Sequence, residues 1–326
     1  MPLDPQAQVF LDKFAASQAP PMHTLSPPDA RALVVPLQMP KETMGRLDNR
    51  TIPGPAGEIP VRIYHPRSEN EPAAEASPRP IVVYFHGGGW VVGSIASHDA
   101  ICRRLCNLSG CIFISVGYRL APEHKFPAAV DDCYTATAWA TINAPELGGD
   151  PDRIAVCGDS AGGNLAAVVA LLARDRGGPP LAHQSLIYPI TDYMPEFDSY
   201  RRNGADYFLT TGSIQWFWDH YLNDPSQADD PAAAPIRAED LSGLPPATIL
   251  VAEFDPLYDE GLAYADRLEQ AGVPVERIIC NGQIHGFLRR LDTFDSANEV
   301  AQQLAHSLQT ALREPPPSEC GDPSPL

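Results

Sequence analysis

Positive charge is scarce in this chain. Lys and Arg number 23 against 41 Asp and Glu over 326 residues, a formal net charge of −18. A nucleic-acid binder would show a basic patch, and anionic membranes repel such a chain. Nucleic acid and membrane are therefore not expected partners, and an uncharged small-molecule substrate is. Long hydrophobic runs are also missing. The longest apolar helical stretch, Leu165 to Ala173, falls far short of the roughly 20 residues that span a bilayer. The N-terminal MPLDPQAQVFLDKF has an early Asp4 and no basic start before an apolar core, so it does not read as a secretory signal. There is no internal repeat. The seven cysteines are an odd number, and Cys102 and Cys106 could share a helix face. No second pair or His cluster completes a zinc pattern, so neither metal nor other cofactor is expected. Reduced thiols and a cytoplasmic location are the expectation.

What is present begins with rhythm. Apolar runs at Ile81–Phe85, Ile112–Val116, Ile154–Cys157, Ser185–Tyr188, Thr248–Ala252 and Val275–Cys280 read as strands. Helical patterns lie between most of them, at Ala100–Leu108, Pro127–Ile142, Ala161–Arg174 and Gly261–Ala271, and a last helix covers Ser296–Leu312. The alternation predicts an α/β fold, with a mostly parallel sheet flanked by helices. Thr51–Ile52 and Val61–Tyr64 flank a Pro/Gly turn and predict a hairpin. Residues 1–45 read as helices, the second opened by Ser26-Pro27-Pro28-Asp29. The segment 191–223 breaks the rhythm and is rich in aromatics, Trp216, Phe217 and Trp218 among them. It is too long for a simple connection and predicts a helical cap, joined by the N-terminal helices. The core then comprises 46–190 and 224–313. Ser68–Pro80 and the tail 314–326 read as loop or disorder.

Three glycines follow the first buried strand in VYFHGGGW, at Gly87, Gly88 and Gly89. Something must approach the backbone there, and a phosphate or an oxyanion would fit. The spacing to Gly93 misses the dinucleotide fingerprint by one, and the next strand ends Val116-Gly117-Tyr118-Arg119 with no acid. No Gly-Lys-Ser/Thr run exists either, which leaves the oxyanion. The nucleophile is supplied by Gly158-Asp159-Ser160-Ala161-Gly162, a G-x-S-x-G between a strand and a helix. Ser160 needs a base to take its proton. Of the histidines far enough beyond it, His220 lies among the aromatics and His306 on the last helix. His285 follows a strand and precedes Gly286, the place for a base. The acid should end the preceding strand. Asp255 precedes a proline and is held extended there. Glu253 is the fallback, and Asp259 reads as a helix N-terminal charge. Backbone N–H groups of the triple-glycine loop and of Ala161 would face the oxyanion.

The motifs HGGGW (86–90), YRLAPEHKFPAA (118–129), GDSAGGN (158–164), DPLYDEG (255–261) and HGF (285–287) occur in order across the chain. Together they resemble the bacterial hormone-sensitive lipase-like esterases, in the branch with GDSAG. The resemblance implies an α/β-hydrolase fold and serine hydrolysis of short- to medium-chain esters without cofactor. It implies Ser160, Asp255 and His285 as the catalytic triad and Gly88, Gly89 and Ala161 as oxyanion donors. A homodimer is common in that family. His86 and Gly87 are expected to brace the loop, with Asp159 and Glu253 as supports. Asp192, Phe208, Leu209 and Trp216 are the candidates for the substrate pocket. The competing readings are a ligand receptor on the same scaffold, which should lack a triad member, and an amide or carbamate hydrolase.

Overall fold

The computed structural model describes residues 1–36, 40–67 and 77–313. Most of the segment expected to be loop (68–76), and the tail 314–326, lie outside the described residues. The chain opens with helices α1 (Pro5–Ala16) and α2 (Pro27–Leu33), then the hairpin β1 (Arg46–Gly54) and β2 (Gly57–His65). There follow β3 (Arg79–Phe85), α3 (Asp99–Ser109), β4 (Ile112–Val116), α4 (Ala128–Ile142), β5 (Gly149–Asp159), α5 (Ala161–Asp175) and β6 (His183–Ile187). Next come α6 (Asp198–Asn203), α7 (Thr211–Tyr221), β7 (Ala247–Phe254), α8 (Tyr258–Gln270), β8 (Val275–Ile284) and α9 (Asp295–Ala311).

The eight strands form one sheet in the order β1-β2-β4-β3-β5-β6-β7-β8. Strand β2 runs antiparallel to β1 and β4, and every later pairing is parallel. The expected α/β architecture is what the structure shows. Both faces of the central strands are buried, so they read as continuous apolar runs and not as alternation. In β3, Ile81, Val83 and Phe85 enter one core with α4, α5 and α8. Val82 and Tyr84 enter the other, with α3 and α9. Period two thus sorts one run between two cores.

Several boundaries differ from the sequence reading, among them β1, which begins at Arg46 and not Thr51, and β8, which runs on to Ile284 and not Cys280. Strand β5 begins at Gly149, because Gly149 pairs with Arg79 across an irregularity in the ladder. Its first residues, Gly-Asp-Pro-Asp-Arg, carry no apolar signal. Helix α8 begins at Tyr258, not Gly261. The β6–β7 connection runs from 188 to 246, well past Asn223, and contains α6, α7 and two short 3₁₀ turns.

Helix α2 is tied to the turn after the glycine loop. Ser26 caps it by accepting the Asp29 N–H. Arg31 donates to the carbonyls of Val91 and Ala121, both at 2.8 Å, and holds Glu123 with two further bonds. Bonding to Arg31 pulls the Glu123 carboxyl down to about 2. Helix α7 grips the same turn by packing. Trp90 is fully buried, stacked on Tyr221 at 4.1 Å and set against Trp218 at 4.6 Å. Trp90→Ala should destabilise the fold by about 3–5 kcal/mol, the usual range for truncating a buried aromatic. Urea unfolding measures it, and a loss below about 1 kcal/mol would mean that α7 is not held by this cluster.

Candidate active site

The C-terminal ends of β3, β5, β7 and β8 converge on one group of side chains. Strand β5 leads straight into α5 through Ser160, whose φ of 57° is left-handed for a residue with a Cβ. Such a conformation costs on the order of 1–3 kcal/mol and persists only where the surroundings impose it. Here they do. The Ser160 N–H donates to the Ile187 carbonyl at 2.8 Å, and its carbonyl accepts the Asn164 N–H at 3.0 Å. The turn is so tight that a Cβ at Gly162 would overlap the carbonyl of Phe85. The Asn164 side chain then ties α5 to the carbonyls of Ile190 and Ala233.

Ser160 meets His285 and Asp255. Its Oγ lies 3.0 Å from His285 Nε2, and His285 Nδ1 lies 2.6 Å from Asp255 Oδ2. Asp255 is fully buried, and its other oxygen accepts the Leu257 N–H at 2.9 Å. The His285 ring packs against Tyr188 at 4.7 Å. The chain from serine hydroxyl through imidazole to buried carboxylate is unbroken. Glu253 lies elsewhere. It accepts the Gly282 N–H at 2.7 Å and braces β8 without touching His285. Asp259, at the start of α8, accepts the Ser199 N–H. The sequence reading missed Asn203, whose side chain donates to the carbonyls of Glu253 and Asp255 and so fixes the turn that carries the acid.

The glycine loop is bolted to the residue before the nucleophile. Asp159 Oδ1 accepts the Gly87 N–H at 2.9 Å and the Tyr84 hydroxyl at 2.7 Å. His98, which the sequence reading did not single out, lies 3.3 Å from the same carboxylate. Burial alone would raise the Asp159 carboxyl. His98, then Arg289 and the Tyr84 hydroxyl outweigh it, so the group is held well below the ordinary carboxylate range. His86 stacks on Tyr118 at 4.3 Å, and burial, with His98 beside it, pushes its ring down to about 3. His86 is thus neutral and braces the loop. Gly88 has a φ of 117°, open to glycine alone. Among the described residues, the N–H groups of Gly88, Gly89 and Ala161 meet no acceptor. They remain free for a ligand oxygen. A cavity of about 420 Å³ also borders this loop, lined by Pro60, Val61, His86, Gly93, Tyr118 and Leu120 among others, and Ser160 is not among its walls.

The pocket candidates scatter. Phe208 lies beside the residue after His285, about 3.9 Å from where a Cβ on Gly286 would stand, with Phe10 and Phe14 edge-on against it. Asp192 pairs instead with Arg237 at 2.7 Å. Leu209 packs on the core, and Trp216 is 8% exposed beside His220. The residue on the glycine loop is Phe217.

Residues 82–289 match a family described as the alpha/beta hydrolase fold. This chain belongs to that family. Its motifs place it with the hormone-sensitive lipase-like esterases there. It is 48% identical over 269 residues to the carboxylic ester hydrolase LipN of Mycobacterium tuberculosis, covering 80% of this chain and 69% of that one. It is 36% identical over 326 residues to the ethyl acetate hydrolase of Pseudomonas putida, covering 96% of this chain and 100% of the other. The solved structure of a hyperthermophilic esterase from Pyrobaculum calidifontis superposes with a TM-score of 0.88 at 42% identity, over 95% of this chain and 99% of that one.

Two buried acids of this hydrolase give separate predictions. Asp159→Ala leaves the Gly87 N–H, the Tyr84 hydroxyl and His98 without their acceptor. It should cost about 3 kcal/mol or more, measured by urea unfolding. Glu260 is also fully buried, and accepts the Tyr200 hydroxyl at 2.7 Å and the N–H groups of Thr191 and Asp192. Burial raises it to about 8 from 4.5 despite those bonds. The folded state therefore keeps this proton longer than the unfolded chain does. Its contribution to stability is full below about pH 4.5 and is lost as pH rises through about 8. Glu260→Gln should flatten the fall in melting temperature between pH 5 and 8. An equally steep fall in both proteins would mean that Glu260 is ionised throughout that range.

Proposed function

We propose that this hydrolase is a serine carboxylesterase acting on short- to medium-chain acyl esters through an acyl-enzyme. The observation that carries this is the unbroken chain from Ser160 through His285 to Asp255, at 3.0 and 2.6 Å, beside three unsatisfied backbone N–H groups. In this reading Ser160 Oγ attacks the ester carbonyl as His285 Nε2 takes its proton. Asp255 holds the Nδ1–H and stabilises the imidazolium, without itself being protonated. The carbonyl oxygen, now negative, is received by the N–H groups of Gly88, Gly89 and Ala161. One such donor contributes about 3 kcal/mol to the transition state. The protonated imidazole then gives its proton to the leaving alkoxide. A water, activated by the same ring, attacks the acyl-serine and releases the acid. A receptor built on this scaffold has no need of all three side chains, and all three are in bonding range here.

We assign residues 1–45 and 191–223 to a cap over the core. The compartment we assign is the cytoplasm, on the six described cysteines, all buried and unpaired. No described helix is long and apolar enough to cross a membrane.

A series of p-nitrophenyl esters from acetate to palmitate tests the activity. Wild type should peak at a short or medium chain. Ser160→Ala should lower kcat/KM by about 10⁴-fold or more. Turnover that survives in the variant would remove Ser160 from the reaction.

A further inference from the structure

Helix α7 carries three consecutive aromatic residues, Trp216, Phe217 and Trp218. Ile214, Phe217, Trp218 and Tyr221 share one face, at the spacing of neighbours on a helix. Trp218 and Tyr221 clasp Trp90. Phe217 covers the residue before it. A Cβ added at Gly89 would clash with the carbons of the Phe217 ring. Bond lengths therefore bring the ring within about 8 Å, at most, of an oxyanion held by the Gly89 N–H. Phe217 is also only partly buried, unlike the fully buried Trp218 and Tyr221 on the same face.

The helix that presents this ring is firmly moored. Thr210 caps its start by accepting the Ser213 N–H at 3.1 Å. At its end the Tyr221 carbonyl accepts the Phe126 N–H at 2.8 Å, and Lys125 donates to the carbonyls of Asp219 and Leu222. Phe217 is thus held against the loop by a fixed element, which makes it a wall and not a flap.

The reaction geometry says which half of the ester meets this wall. The leaving oxygen must lie near His285 Nε2 to receive its proton. The alcohol half therefore belongs to the flank of His285, where Phe208 lies against Gly286. The carbonyl oxygen occupies the glycine loop. The acyl substituent is left to the flank of that loop, which is the flank of Phe217.

We propose that Phe217 sets acyl selectivity by packing against the acyl α-carbon and limiting branching there. This rests on the esterase reading of the site. The test compares wild type with Phe217→Ala and Phe217→Leu on two ester series. One keeps p-nitrophenol and varies the acyl group through acetate, butyrate, isobutyrate and pivalate. The other keeps acetate and varies the alcohol through ethyl, butyl and benzyl. In Phe217→Ala the isobutyrate-to-acetate ratio of kcat/KM should rise about 10-fold or more, while the benzyl-to-ethyl ratio stays within about 3-fold. Phe217→Leu should move the acyl ratio in the same direction by less, and it carries the test if the alanine variant does not fold. Folded variants with an unchanged acyl ratio, or a change confined to the alcohol series, would overturn the proposal. Wild type that cleaves no ester in either series would instead defeat the esterase reading itself.

Discussion

The rest of the site depends on how closely the start of α5 passes under the end of β3. A side chain at Gly158 would strike the carbonyl of Gly162, and one at Gly162 would strike that of Phe85. With neither present, the chain reverses from strand to helix within a few residues, and Ser160 is forced to a left-handed φ of 57°. That brings the serine hydroxyl out at the sheet edge and the Ala161 N–H to the first turn of a helix, where it has no partner along the helix. The same contact puts the glycine loop beside Asp159. One carboxylate can then hold Gly87 from the residue next to the nucleophile. Ser160 and the loop are fixed relative to one another by covalent neighbours and one hydrogen bond.

The sheet does the remaining positioning. Parallel strands place all their C-terminal ends on one edge, and β7 and β8 are adjacent there. Asp255 and His285, one past each strand, are therefore side by side although 30 residues separate them. The inserted segment reinforces this from outside. Asn203 holds the carbonyls around Asp255, and Glu260, in the first turn of α8, holds the backbone where the insertion leaves β6. Two buried polar anchors thus connect the β6–β7 segment to the turn that carries Asp255 and the start of α8. Each has hydrogen-bond partners, as burial of such groups demands.

What could be read in the sequence was local. The strand-turn-helix around Ser160, the strand-loop around His285 and the alternation that gives the sheet are all contained in windows of a dozen residues. The contacts that could not be read are long-range and aperiodic. His98 reaches Asp159 across 61 residues and Asn203 reaches Asp255 across 52. Nothing in the spelling of His98 or Asn203 marks it. Glu253 and Asp255 shared one short segment, and only the fold separated them, giving one to Gly282 and the other to His285.

Trp216 and Phe217 show the same limit within a single helix. Successive residues on a helix point about 100° apart. Three aromatics in a row therefore cover most of its circumference, and composition does not say which one faces the loop. The phase comes from elsewhere, from Trp90. Once Trp218 and Tyr221 close on that indole, the rotation of α7 is set, and Phe217 rests on Gly89 while Trp216 turns toward His220. The tryptophan that ends HGGGW thus acts as the key by which α7 is registered on the glycine loop.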